Sequence, residues 1–578
     1  MDRTGTAWLQ LLAGLQDWEG ILWRTETATA REPLRLRRWS LAMVGRLVEA
    51  RELAERLAEG PEATADDWYR LVQIGFTQRD AALVLRVGAM VEQRGGGDVR
   101  LRAMMALAGL ASEPLPNGPP PTSPSPYSSE EPLRLRFAWL LPAYRPMNGP
   151  HPLLLPLLRS DDSYHAVPAL PPTPSPEAPP LETLRRRYAD LLPRLAAVTG
   201  LGFWDLAQAL AQRAALDAAL DAGTRDHDAE FHHTAPLTCG DIPWVFHFEQ
   251  VNTLFMLSKY WPRIEVREDG PELALLRGLL RDPACRLVVS HVRESVRRLV
   301  ELTGADLAAK IHHVPLRLPG RPRRRFRAGR RPLNLLFAAS FTETPLLFHG
   351  RGGLDVVHAV LHLLGRRDAR HRDVQVTFRL PVPATLPPFL LRRLRAHPRI
   401  SWLDGRLSDR AMRALLERTD IQMLPSVTLH ALSLIQALRA GNVVLGADGY
   451  GVGEFLRHGG NGLVVRGRGP TRFGPPPACF SDIHSSDVRF SEDSTAIIRA
   501  CRFPADLGFH IRFRKSLDQL LCNGRLRRRL ALQADSDGRW RFGGGDWLDR
   551  VRALAVAALK PVSQPALDST LNSASKSD

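Results

Sequence analysis

The sequence predicts an α/β fold: two doubly wound parallel lobes facing one another, preceded by a small all-α module. Three observations support this. Strand and helix patterns alternate along residues 133–318, and again along 333–545. A basic, aperiodic stretch, "PGRPRRRFRAGRRP" (319–332), separates the two runs. Residues 1–112 carry helical periodicity alone.

The all-α module opens the chain. "LRLRRWSLAMVGRLVEARELAERLAEG" sets Leu, Val and Ala at three- and four-residue spacing, and "ADDWYRLVQIGFTQRDAALVLRVGAMVEQRGG" continues as a helical hairpin. The spacing from Trp68 to Ala81-Ala82 resembles a tetratricopeptide repeat, although no clean second copy stands at a fixed period. Residues 113–132 are rich in Pro and Ser and read as an extended linker. "LRLRFAWLL" (133–141) opens the first lobe as a strand, and one long helix is expected from Leu181 to Ala222. "DIPWVFHFEQ" (241–250), "RLVVS" before a helix, and "IHHVPLRL" (311–318) complete its strands. The second lobe alternates "LNLLFAAS", "GGLDVVHAVLHLLGRR", "VQVTFRL", "LPPFLLRRLRAH", "ISWL" and "SDRAMRALLERT". Ser408 with Asp409 is a sound start for the last of these helices. Residues 467–487 read as an irregular insertion. Residues 546–560 should form a C-terminal helix crossing to the first lobe, ahead of a polar tail at 561–578 expected to be disordered.

Composition narrows the function classes. Apolar residues make up 44% of the 578, enough for packed cores. The net charge of +17 is almost wholly arginine and is spread along the chain, so it is weak evidence for nucleic-acid binding. The cluster at 321–331 holds one aromatic, Phe326, and lacks stacking platforms. No nucleic-acid partner is expected. Five scattered cysteines form no CxxC pair and fit a reducing, cytoplasmic setting. No run of about 20 apolar residues is present, so contact with a membrane would be peripheral, on an anionic inner face. "FHHT" (231–234) only superficially suggests a metal pair, because adjacent strand residues point to opposite faces. No metal and no cofactor are expected.

The most informative stretch is "TDIQMLPSVTLHALSLIQALRAGNVVLGAD" (419–448), a strand, a loop, a helix and a strand within about thirty residues. With its surroundings it resembles the retaining glycosyltransferases of the GT-B fold, family 4. The resemblance spans about 333–465 and rests on four parts in order. These are Arg351-Gly352-Gly353 in "FHGRGGLDVVHAV", the Pro-Ser ending of "DIQMLPS", the run "QALRAGNVVLGAD", and "GVGEFLRHGGNGLVV" (451–465).

The resemblance implies two Rossmann-like lobes around a cleft, and transfer of a sugar from a nucleotide diphosphate sugar to a hydroxyl acceptor with retention. The acceptor would be a glycan, a lipid-linked molecule or a small molecule, in glycan or polysaccharide synthesis. It places Arg351, Gly352 and Ser426 on the diphosphate, with Gly451 and Glu454 at the donor. Glu454 reads equally as a first-turn carboxylate of a helix "EFLRHG". His247, delivered by "IPWVFHFEQ", would contact the reacting sugar, and Glu249, two residues later on the same strand face, would contact the acceptor or orient His247 as its catalytic companion. Where the family carries two glutamates this chain has Thr428 and Gln436. Gln436 retains hydrogen-bonding capacity for a ribose, and its amide is expected near the cleft or buried. Thr428, expected at the sugar, cannot act as a carboxylate. That departure sustains an alternative: a catalytically degenerate GT-B protein serving as a binding or scaffold module, with the helical module recruiting a protein partner.

Overall fold

The computed structural model describes residue 9 and residues 18–111, 131–138, 160–167, 179–221, 227–233, 242–251, 254, 271–318, 332–338, 348, 351–365, 373–382, 386–405, 407–426, 429–467, 507–545 and 547–559. The linker expected at 113–132, the connector at 319–332 and the insertion at 467–487 lie almost wholly outside these residues. The tail at 561–578 and Thr428 lie wholly outside them.

Helices come first: α1 (Trp18–Arg24), α2 (Arg31–Met43), α3 (Leu47–Glu59), α4 (Ala65–Thr77), α5 (Ala81–Gln93) and α6 (Val99–Leu110). Residues 31, 65 and 99 open alternate helices, and 47 and 81 open those between, so each type recurs every 34 residues. Local chemistry sets these starts. The Asp80 carboxylate accepts from the Leu83 N–H, and Asp98 accepts from Leu101. Thr64 and Asp67 form a reciprocal capping box.

Helices α7 (Leu181–Thr199) and α8 (Phe203–Asp221) occupy the stretch expected to be one long helix. The helix breaks because Gly200 turns left-handed, with φ of 69°. The module is also less separate than expected. Leu184, Tyr188 and Leu192 of α7 and Leu206 and Leu210 of α8 share one buried cluster with Leu53, Val72 and Leu101.

The first lobe is a six-stranded sheet. In chain order its strands are β1 (Leu133–Ala138), β2 (Tyr164–Val167), β3 (Ala229–His233), β4 (Trp244–His247), β5 (Cys285–Ser290) and β6 (Ile311–His313). Helix α9 (Pro271–Arg281) precedes β5, and α10 (Arg293–Thr303) follows it. Spatially the order is β2-β1-β3-β4-β5-β6, and every pairing is parallel.

The second lobe repeats the plan with β7 (Leu333–Ala338), α11 (Gly353–Leu364), β8 (Val374–Arg379), α12 (Pro388–Arg395), β9 (Ile400–Leu403) and α13 (Asp409–Arg418). It continues with β10 (Ile421–Leu424), α14 (Ala431–Arg439), β11 (Val443–Ala447) and β12 (Gly462–Val465). The order β12-β11-β10-β7-β8-β9 is again parallel throughout, and it reverses direction between β7 and β10. Ser408 caps α13 as expected, its hydroxyl accepting from the Ala411 N–H. Two doubly wound six-stranded sheets are the GT-B architecture, and ligands of such sheets bind at the carboxyl ends of strands near the reversal.

Three helices close the described chain: α15 (Leu507–Cys522), α16 (Gly524–Trp540) and α17 (Trp547–Leu559). Trp547, Val551, Ala555 and Leu559 of α17 are buried with Leu135, Val245 and Val289 of the first sheet, so this helix packs on the first lobe.

The strongest polar anchor of the helical module is Asp67, fully buried and bonded by Arg31 (3.0 Å), Arg35 (2.6 Å) and Arg38 (3.1 Å). Burial pushes this carboxyl up, but hydrogen bonds from Arg35, the Thr64 backbone and Arg31 outweigh it and hold it well below the carboxylate range. A depressed acid stabilises the fold fully above its unfolded value, near 4, and loses that contribution as pH falls. Asp67→Asn should therefore cost about 3 kcal/mol at pH 7, and the difference between the two denaturation curves should shrink progressively as pH falls below about 4.

Candidate functional site

On the second lobe the site is built where strand order reverses. Gly352 has φ of 73°, and a Cβ there would lie 2.4 Å from the Pro425 carbonyl oxygen. At Gly353 a Cβ would lie 2.1 Å from the Phe348 ring. The glycine pair thus lets the N-terminus of α11 close onto the loop leaving β10. That contact brings Arg351 beside Ser426 and His430. All of these stand at the carboxyl edge, where N–H groups of the α11 terminus have no side-chain cap.

Arg351 is buried. Burial lowers its guanidinium to about 10, the charge of Arg379 acts in the same direction, and Glu249 of the other lobe opposes both. His430 shares a 3.1 Å hydrogen bond with the Ser426 hydroxyl. Burial, with the Arg351 charge adding to it, holds this imidazole well below its ordinary value, and it is neutral at pH 7. Among the described residues, the charges gathered here are the Arg351 and Arg379 guanidiniums and the Glu249 carboxylate, a net attraction for an anion.

On the first lobe the ends of three adjacent strands contribute imidazoles. His233 ends β3, His247 ends β4, and His291 follows β5. The rings of His233 and His247 stack at 5.0 Å, and those of His247 and His291 at 5.4 Å. Trp547 of α17 packs edge-on against both His247 and His291. His247 is therefore wholly enclosed, with Nδ1 2.9 Å from His233 Nδ1 and Nε2 3.2 Å from His291 Nδ1. The expected contact of its ring with the reacting sugar does not fit this position, because both ring nitrogens are already engaged. Glu249 is the side chain from this strand that stays open, 24% exposed, with Oε1 3.6 Å from His291 Nε2. Adjacent His232 points the other way, 2.7 Å from Glu230, as strand alternation requires.

A seam beside the site holds the lobes together. Helix α10 follows Val292, which offers no capping side chain. Glu454 of the second lobe takes that role, accepting from the N–H groups of Arg293 (2.8 Å) and Glu294 (2.7 Å). Tyr450 donates to Ser295, which donates to the Glu249 carbonyl, and Gln250 donates to the Leu429 carbonyl. Gly451 sits between Leu429 and Val292, and a Cβ there would lie 3.1 Å from each.

Several expected site residues are thus displaced. Glu454 caps a helix of the other lobe, and its own segment is a 3-10 turn, Val452–Glu454, instead of the helix "EFLRHG". Gln436 is exposed, not buried. Leu434, Ile435, Ala437 and Leu438 take the buried face of α14, and Gly538 of α16 lets the two helices touch, which leaves Gln436 outside. His233, His291, Arg379 and His430 were not anticipated. The one available sign was that His233, His291 and His430 each stand at or just past the end of a strand or its loop.

No family model matches the chain, and no curated protein matches it. Among solved structures it is similar to the Anabaena protein HepE in complex with UDP-glucose, at 12% identity over 74% of this chain and 99% of that one, with a TM-score of 0.39. A UDP-forming trehalose-phosphate synthase from Burkholderia xenovorans shares 12% identity over 63% and 81%, with a TM-score of 0.37. A variant O-GlcNAc transferase from Thermobaculum terrenum shares 15% over 97% and 99%, with a TM-score of 0.33. At these scores the likenesses say nothing of what this chain binds.

Glu454→Ala removes the cap from α10. It should cost about 1 kcal/mol of stability. Hydrogen exchange should quicken at Arg293 and Glu294, while the α4–α5 hairpin remains unchanged.

Proposed function

We propose that this chain is a GT-B glycosyltransferase that moves a sugar from a nucleotide diphosphate sugar to a hydroxyl acceptor. One observation carries the reading: the buried Arg351 guanidinium at the strand reversal, beside the Gly352–Pro425 contact and within the field of Glu249 across the cleft. A diphosphate matches this arrangement in charge and geometry, taking Arg351 and the α11 N–H groups on its oxygens, with Ser426 alongside.

In the reaction the bond from the anomeric carbon to the phosphate oxygen breaks, and its electron pair stays with the phosphate. The acceptor oxygen bonds to that carbon, and its proton passes to the departing phosphate, which gives retention. Positive charge from Arg351, Arg379 and the α11 terminus offsets the charge that develops on the leaving group, so no cofactor is assigned. The scaffold reading differs in one respect: it keeps the anion site but has no turnover.

Two surfaces suit the wider partners. No described helix is long and apolar enough to cross a membrane. The outward stripe of α16, however, carries Arg525, Arg528, Arg529 and Leu532 and ends at Trp540, which is 80% exposed. Arginines with an interfacial Trp suit peripheral contact with an anionic bilayer, and so a lipid-linked acceptor. The helical module, with its 34-residue tetratricopeptide-like spacing, suits a protein partner.

In calorimetry, Arg351→Ala should weaken nucleoside diphosphate binding by about 1.5–3 kcal/mol, while Gln436→Leu leaves it unchanged. Unchanged affinity in Arg351→Ala would remove the donor site from this cleft. Vesicles containing anionic phospholipid should bind the protein, and neutral vesicles should not. Replacing Arg525, Arg528 and Arg529 with Gln should weaken that binding by about 1 kcal/mol per residue.

A further inference from the structure

We infer that Glu249 supplies, from the first lobe, the carboxylate that the second lobe lacks at Thr428 and Gln436, and that His291 is its positioning residue, held in turn by His247 and His233. This inference rests on the glycosyltransferase reading and specifies how its site works.

The hydrogen bonds allow one consistent direction. His233 Nδ1 lies 3.2 Å from the His247 carbonyl oxygen, which can only accept, so Nδ1 carries a proton. The same Nδ1 stands 2.9 Å from His247 Nδ1, which therefore accepts. A neutral His247 then has its proton on Nε2 and donates it over 3.2 Å to His291 Nδ1. His291 is left with its proton on Nε2, facing the Glu249 carboxylate at 3.6 Å. With one proton on each ring, the three imidazoles line up so that every proton is directed toward the Glu249 carboxylate. His247 and His291 are fully buried and clamped by Trp547, so the chain is rigid up to its last member. Glu249 is 24% exposed, and its backbone carbonyl accepts from the Ser295 hydroxyl.

A carboxylate held there meets the requirement the sequence left unfilled. Positive charge grows on the sugar ring as the anomeric bond to phosphate stretches, and a pre-oriented anion stabilises it without reorganising. The Glu249 charge acts on both Arg351 and His430, which stand where the diphosphate is proposed to bind. His291 touches no substrate in this scheme. It fixes the orientation of the acid, as an outer-shell partner does for a catalytic group.

The test uses the full chain with a panel of UDP-, GDP- and ADP-sugars, following nucleoside diphosphate release with water as acceptor. With a donor that binds, Glu249→Gln should lower kcat by about 100-fold or more, the scale of a lost transition-state electrostatic contact, with KM for the donor little changed. His291→Leu should lower kcat about 10- to 100-fold at unchanged KM. His291→Gln, which can both accept and donate, should recover part of that loss. Imidazole nitrogen shifts in the wild type should show His291 protonated at Nε2 and His233 at Nδ1.

A wild type that turns over donor while Glu249→Gln retains its kcat overturns the role given to Glu249 and leaves the glycosyltransferase reading standing. A His291 protonated at Nδ1 overturns the chain. A wild type that binds no donor overturns the glycosyltransferase reading, and this inference with it.

Discussion

The arrangement depends most on the clasp between Glu454 and the start of α10. Val292, which precedes α10, has no side chain to cap the exposed N–H groups at the start of that helix. The answering carboxylate comes from the other lobe, so capping one helix also sets the position of one lobe against its partner. Gly451 makes the approach feasible, since a side chain there would press on both Leu429 and Val292. The apolar cluster running from Val245 and Val292 to Leu429, Leu434 and Trp547 supplies the area, but apolar contact has no direction. The directional bonds at Glu454, Tyr450 and Gln250 select one register of that contact, the register in which Glu249 lies within the field of Arg351.

How much of this was legible in the sequence depended on how local each feature is. The βα alternation, the Ser408 cap and the Arg-Gly-Gly start of α11 are written in consecutive residues, and the lobes follow from them. The 34-residue spacing of the first helices escaped detection because its markers are caps, Thr64 and Asp98, on helices whose remaining residues differ. Gln436 was misplaced for another reason. Periodicity shows that α14 has a buried face but not which neighbour covers it, and the close approach of α16 at Gly538 decided that. The imidazole chain was the least legible part. His233, His247 and His291 come from three separate strands and become neighbours only when β3, β4 and β5 pair in register. The reasoning that adjacent histidines diverge was sound for His232 and His233, yet it said nothing of what each would meet.

The electrostatics of the cleft explain why a buried arginine is tolerated. A guanidinium lowered to about 10 remains charged at pH 7, three units below its titration point, so burial does not neutralise it. Its neighbours fit that fact. His430 is held neutral and adds no second positive charge at contact distance, and the Ser426 hydroxyl is shared with it. Glu249 offers partial compensation from the other lobe and Arg379 acts against it, so the charges of the described residues here sum to a positive value. A pocket of this sign, at a strand reversal and beside an uncapped helix terminus, attracts a ligand with concentrated negative charge. The same field limits which acid can survive in it. Glu249 stands between the Arg351 charge, which it opposes, and His291, whose Nε2 lies 3.6 Å from its carboxylate. The charge proposed to hold a diphosphate in the cleft is therefore the same charge that faces Glu249.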